Sequence, residues 1–218
     1  MGRTFNGTNQ WLSKGAALAA NVPVTFAGFC YFNAPFQDAI IVGQGIPTGT
    51  AGPGCHAYYQ SGLTQFEAEA FGDVDDEQAH TTTVPSLVTW YHVAAVFAST
   101  TSRKIYLNGV MEGSSTVTVN LTGTMTDTRV GNICLNLSNF TMNGMIASAG
   151  IWTAALADSE VAGLAAGFSP KLIRASALAG YCRMLGGFNP EPDFVKGTWA
   201  LAGTPTFTDV MNPRLYNP

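Results

Sequence analysis

Between positions 90 and 110 the chain reads WYHVAAVFASTTSRKIYLNGV. Tyr91, Val93, Ala95 and Phe97 fall on one side of an extended chain and Trp90, His92, Ala94 and Val96 on the other, because successive strand side chains point to opposite faces. Both sides are apolar, which predicts an inner strand covered on two faces. A polar turn leads to a second strand, KIYL, and then to Asn108-Gly109, the dipeptide that best accepts the positive φ angles of a type I′ turn. Runs of the same kind recur as RTFNGTNQWLS, VTFAGFCYFNA, AIIVGQG, HAYYQSG, TQFEAEAFG, TRVGNI, MIASAGIW and TWALAGTPTF, with Gly, Pro, Asn or Asp between them. Many short strands joined by turn residues predict an all-β sandwich or barrel.

The helical period is rarer. LADSEVAGLAAG predicts one short helix, with Asp158 as its cap, Val161 and Leu164 as its inward stripe and Gly167 as a left-handed stop. SPKLIRASALAG predicts a second, with Pro170 in its first turn and Gly180 at its end. FNPEPDFVKG is rich in turn residues, and MNPRLYNP closes the chain in extended form. With no long linker and no repeat, the expectation is a single domain over 1–218, in which 170–218 is a C-terminal extension packed on the rest.

Composition sharpens this picture. Apolar residues make up 46% and charged residues 11% of the chain, with 24 glycines, a balance that suits strands and tight turns better than helices. Net charge is −4 and the ten basic residues are scattered, which argues against nucleic acid as a partner, since phosphate binding needs clustered cations. No run of eighteen apolar residues exists, so no membrane-spanning helix is expected. The start, MGRTFNGTNQWL, has neither a secretory layout nor the Ser or Thr at position 6 that myristoylation would want. Cys30, Cys55, Cys134 and Cys182 are widely spaced without a CxxC pair, which favours buried free thiols over zinc or a disulfide framework.

TWYHVAAVF, KIYLNGV, VGN and FTMNGMIASAGIWTAALADSEVAGL resemble, in order and spacing, the core of laminin-G-like and pentraxin-like members of the concanavalin A-like lectin/glucanase superfamily. RTFNGTNQWLS looks like the first strand of the same domains. Trp90, His92, Asn108, Gly109, Gly131, Gly144, Trp152, Leu156, Asp158 and Glu160 match recurring positions. The resemblance implies a two-sheet antiparallel jelly roll with one or two short helices, and is nearly silent on function because these residues build strands and turns. The tail resembles an extension seen on laminin-G-like proteins of bacteriophages and environmental bacteria.

Candidate chemistry is sparse. Glu67 and Glu69 share a strand face, the spacing of a glycanase carboxylate pair, but the glucanase pattern would want a third carboxylate at position 72, which is Gly. Two exposed strand glutamates are then expected to be a solvated face, and no catalytic residue is assigned. The segment EAEAFGDVDDE holds six of the fourteen acids. Asp73, Asp75, Asp76 and Glu77 are expected in a loop, where they are candidate calcium ligands or a contact for a basic partner. No other cofactor is expected. His92 reads as a hydrogen-bonded core histidine, and His56 and His80 as isolated loop residues. With Trp90 and Trp152 at core positions, Trp11 and Trp199 remain candidate stacking platforms. The sequons at Asn6, Asn120, Asn136 and Asn139 read as turn residues.

Two functions follow as expectations. The first is a non-enzymatic virion surface protein, folded in a host cytoplasm and exposed after lysis. It would act as capsid decoration or cement or as an adhesin, touching partners such as the major capsid protein or host surface glycans, as a homo-oligomer such as a trimer. The second is a carbohydrate-binding lectin module, calcium-dependent or not. A glycoside hydrolase is a weaker third.

Overall fold

The computed structural model describes residues 2–33, 37–47, 52–72, 75–134, 140–184 and 187–208. Among the described residues sixteen strands form two antiparallel sheets. The first sheet runs β10 (Val110–Ser115), β9 (Ser102–Leu107), β8 (Trp90–Ser99), β3 (Val24–Phe32), β12 (Asn143–Trp152), β1 (Gly2–Asn6) and β16 (Thr206–Thr208). A further strand, β13 (Leu178–Cys182), also pairs with β12, beyond the stretch that β1 occupies. The second sheet runs β14 (Glu191–Pro192), β15 (Thr198–Ala202), β2 (Trp11–Ser13), β11 (Asp127–Val130), β4 (Ala39–Gly45), β5 (Gly54–Gln60), β6 (Gln65–Phe71) and β7 (Asp76–His80).

Alternation decides what lies between the sheets. Phe5, Leu12, Phe26, Phe32, Ile41, Tyr59, Phe66, Val93, Phe97, Ile146 and Trp199 meet in one buried cluster. Strand β8 is covered on both sides, as its pattern predicts: Val93, Ala95 and Phe97 enter that cluster, while Ala94 and Val96 pack under the helix α1 (Asp158–Ala165) with Val161, Leu164 and Trp152. Asn108 and Gly109 take φ angles of 50° and 86°, the left-handed pair a type I′ turn requires between β9 and β10. All four cysteines are free and buried.

Several elements differ from the sequence expectation. RTFNGTNQWLS is two strands in different sheets, and Gly7, at φ 73°, makes the turn between them. Asp158 does not cap α1. Ala157 is the cap residue and Glu160 reaches back to its amide at 2.7 Å, while Asp158 accepts from the Tyr106 hydroxyl at 2.6 Å. The second helix is absent: residues 170–172 and 175–177 are single 3-10 turns split by Arg174 at φ 41°, and Leu178 onward is strand β13. The segment 76–80, expected in a loop, is strand β7. MNPRLYNP lies outside the described residues.

Residues after 170 supply strands to both sheets, and two ion pairs fasten them. The Arg3 guanidinium pairs with Glu191, both side chains 2% exposed, and also donates to the Pro205 carbonyl at 2.8 Å. Lys14 Nζ lies 2.6 Å from Asp193 Oδ2 and 5.3 Å from the centre of the buried Trp199 ring. Burial pushes the Glu191 carboxyl up in pKa while Arg3 pulls it down. Truncating one partner of such a pair leaves an uncompensated buried charge. Arg3→Ala should therefore cost about 3–5 kcal/mol in urea unfolding, and Arg3→Met with Glu191→Leu markedly less; equal losses would show that the pair itself, and not the charge left unpaired, carries the stability.

Candidate functional site

Antiparallel partners share a face, so the register of the second sheet fixes which side chains stand together on its outer side. Ser13 pairs with Arg129, Arg129 with Gly43, Gly43 with His56, His56 with Glu69 and Glu69 with Gln78, a row that crosses β2, β11, β4, β5, β6 and β7. A second row joins Ile40, Tyr58, Glu67 and His80. The residues between them, Cys55, Ala57, Tyr59, Phe66, Ala68 and Ala70, point the other way into the core. Polar alternation in three consecutive strands thus builds one polar surface.

Its centre is close-packed. His56 is fully buried, and a Cβ on Gly43 would come 2.2 Å from its ring, so only glycine admits the imidazole there. The ring lies 4.9 Å from Phe71, and Ile40, Tyr58, Phe71 and Ile133 form an apolar strip with Phe140 against it. Around this strip the groups are wetter. Glu69, 3.5 Å from His56 Nδ1, has a side chain 17% exposed, and His80 one of 38%. At the far end of the face Trp11 is half-buried, with the Arg129 guanidinium 5.5 Å over its ring. Arg129 is itself held by Asp127 Oδ2 at 2.8 Å and the Ile133 carbonyl at 2.7 Å.

Glu67 is the anomaly. It is fully buried, neither carboxylate oxygen finds a well-directed hydrogen bond, and His80 Nδ1 lies 3.0 Å from Oε1. Burial, reinforced by the negative charges of Glu69, Asp38 and Asp76, pushes its carboxyl up to about 8. At neutral pH it is therefore largely a neutral acid. Tyr58 beside it is also raised, by burial and by Asp38.

The expected site residues are dispersed. Asp73 lies outside the described residues. Asp75 Oδ2 accepts from the Asn120 amide at 3.0 Å. Asp76 and Glu77 are in β7 rather than a loop and point to opposite faces, Asp76 with Phe71 and Glu77 with Ala70 on the inner side. Adjacent strand residues cannot converge on one cation, and among the described residues no three His, Cys, Asp or Glu side chains are grouped to hold a metal. Trp199 is fully buried and has no face to offer, leaving Trp11 of the two platforms. Trp90 is half-buried on the outer face of the first sheet, 5.4 Å from Tyr31, not in the core. Glu67 and Glu69 do share a face, but the first is buried rather than solvated. His56 and His80 are strand residues, each beside one of these glutamates. Their signal in the sequence is the repeated polar alternation of HAYYQ, QFEAE and DEQAH.

Comparison with known proteins agrees with this architecture. Residues 6–162 match the family model described as the concanavalin A-like lectin/glucanases superfamily. No curated protein matches the chain in sequence. Similar solved structures include a heptameric SAP-like pentraxin from Limulus polyphemus, 15% identical, with a TM-score of 0.61 over 77% of this chain and 82% of that one. The Ruminococcus gnavus IT-sialidase CBM40 bound to α2,3-sialyllactose is 13% identical, TM-score 0.60, over 76% and 97% of the two chains. Domain 4 of AbnA, a GH43 extracellular arabinanase of Geobacillus stearothermophilus, in complex with arabinotriose, is 19% identical, TM-score 0.55, over 67% and 68%.

The buried carboxyl makes stability depend on pH. Unfolded, Glu67 ionises near its ordinary 4.5, whereas folded it keeps its proton until about 8. The folded chain thus holds a proton the unfolded one has released, and stability should fall as pH rises through that window, by roughly 3 kcal/mol from this group at pH 7. Melting curves between pH 5 and pH 8 should show the decline in the native chain and a flatter profile in Glu67→Gln; parallel profiles would contradict this assignment.

Proposed function

We propose, for a chain that belongs to the concanavalin A-like lectin/glucanases superfamily, that it is a non-catalytic carbohydrate-binding module whose ligand lies along the polar rows on the outer face of the second sheet. The observation that carries this reading is the row from Ser13 through Arg129 and Glu69 to Gln78, with the partly exposed Trp11 ring at one end. A saccharide offers hydroxyls that both donate and accept and a C–H face that stacks on aromatic rings. Arg129 and Gln78 supply donors, Glu69 supplies an acceptor, and Trp11 supplies a ring. The sugar ligands in two of the solved structures of the same fold support the reading, and they favour glycan recognition over the virion-decoration role expected from the sequence.

Hydrolysis fits the surface less well. A glycosidase needs one carboxyl to protonate the leaving oxygen and a second to attack or activate water. Glu67 is protonated and beside Glu69, as an acid would be, yet it is sealed from solvent and cannot reach a glycosidic oxygen. A third carboxylate is precluded at 72, where a Cβ would come 2.3 Å from the Asn120 carbonyl oxygen.

A glycan array followed by calorimetry tests the proposal. The native chain should bind a subset of saccharides without releasing reducing sugar, and Trp11→Ala and Glu69→Ala should each weaken binding about tenfold, the loss of one charge-assisted or stacking contact. Sugar release that Glu67→Gln abolishes would replace this reading with hydrolysis.

A further inference from the structure

The opposite side of the sandwich carries a different surface, built by residues beyond the stretch the family model matches. Phe194 is 39% exposed, with the Lys171 ammonium 5.4 Å and the Arg183 guanidinium 5.5 Å from its ring centre. Tyr181, on β13, stacks obliquely on the same ring at 5.8 Å, and its hydroxyl lies 3.4 Å from Ser148 Oγ. The Phe194 amide donates to the Tyr181 carbonyl at 2.8 Å, and Asp193 Oδ1 accepts from the Tyr181 and Val195 amides, so the segment bearing the ring is pinned to the strand.

Both cations lie against the Phe194 ring rather than a carboxylate. Arg3, Lys14, Lys104, Arg129 and Arg174 each pair with a carboxylate. Lys171 and Arg183 make no such pair among the described residues, although the chain carries four more acids than bases. The nearby Asp193 carboxylate is already neutralised by Lys14. Two exposed cations with no carboxylate partner among the described residues, held against one part-exposed aromatic ring, match a ligand that combines an oxyanion with an apolar sugar face.

We infer that Lys171, Arg183 and Phe194 form a second binding site, for a saccharide bearing a carboxylate or sulfate group. The oxyanion lies between the two cations and the saccharide packs on the exposed part of the Phe194 ring. This site is separate from the polar rows, so one molecule can hold an acidic saccharide on one side and a second glycan on the other.

Titration of the full chain followed by amide NMR tests the site, with pentagalacturonate as the carboxylate probe, a chondroitin sulfate tetrasaccharide as the sulfate probe, cellopentaose as the neutral control and polyglutamate as the acidic peptide. One or both acidic saccharides should shift the amides of residues 169, 171–172, 181–184 and 193–195, and the carboxylate and sulfate probes rank the two groups. Lys171→Ala with Arg183→Ala should weaken that binding at least about tenfold while lowering the melting temperature by no more than a few degrees, since both side chains are exposed and give up only surface contacts with the ring. Phe194→Ala should weaken it as well. Unchanged affinity in the double variant, equal binding of cellopentaose at these residues, or preference for polyglutamate would overturn the inference. Trp11→Ala should leave this binding intact, so a failure of the polar rows and a failure of this site give different results.

Discussion

Burial on both sides of a two-layer sandwich constrains everything else in this molecule. The space between the sheets is filled by every second residue of the strands, so whatever alternates with the core residues must face outward. In β5, β6 and β7 those alternates are His56, Tyr58, Glu67, Glu69, Gln78 and His80. The candidate site is thus a by-product of register: the backbone pairing that makes the sheet also sets the polar side chains into rows. Glycine at 43 then makes room for the His56 ring, and the strip of Ile40, Tyr58, Phe71 and Ile133 closes over the centre of the face.

That closure has an electrostatic consequence. A carboxyl packed among apolar groups and three other acids cannot ionise at its ordinary pH, so Glu67 stays neutral where a solvated glutamate would be charged. A raised carboxyl is often the mark of an acid catalyst. Here access decides otherwise, because the group that could donate a proton has no path to a substrate, while Glu69 and His80 at the edge of the same cluster do meet solvent. The proposed role follows from this: a surface that holds a polar ligand without breaking it.

The fold was largely readable from alternation and turn residues. The β8 to β10 meander follows from two apolar faces and Asn108-Gly109, and α1 from its stripe at Val161 and Leu164. Local pattern failed where tertiary pairing won. Leu178–Gly180 looks like the end of a helix by its small and apolar residues, yet pairing with β12 makes Leu178–Cys182 a strand. DEQAH looks like a wet loop, yet it completes the sheet edge beside β6. The site was harder to see, because His56, Glu69 and Gln78 are neighbours only through register, and register is not written in any one segment. Trp199 misled for the same reason: its burial depends on β15 returning beside β2, with Lys14 over the ring.

Mapping a bound neutral saccharide by amide chemical-shift changes along the whole chain tests the central claim most directly. If the outer face of the second sheet recognises glycans, the changes will concentrate at Trp11–Ser13, Arg129, Glu69 and Gln78–His80 and leave the first sheet still. Changes confined to the first sheet or to the loops between strands, with those residues silent, would contradict it.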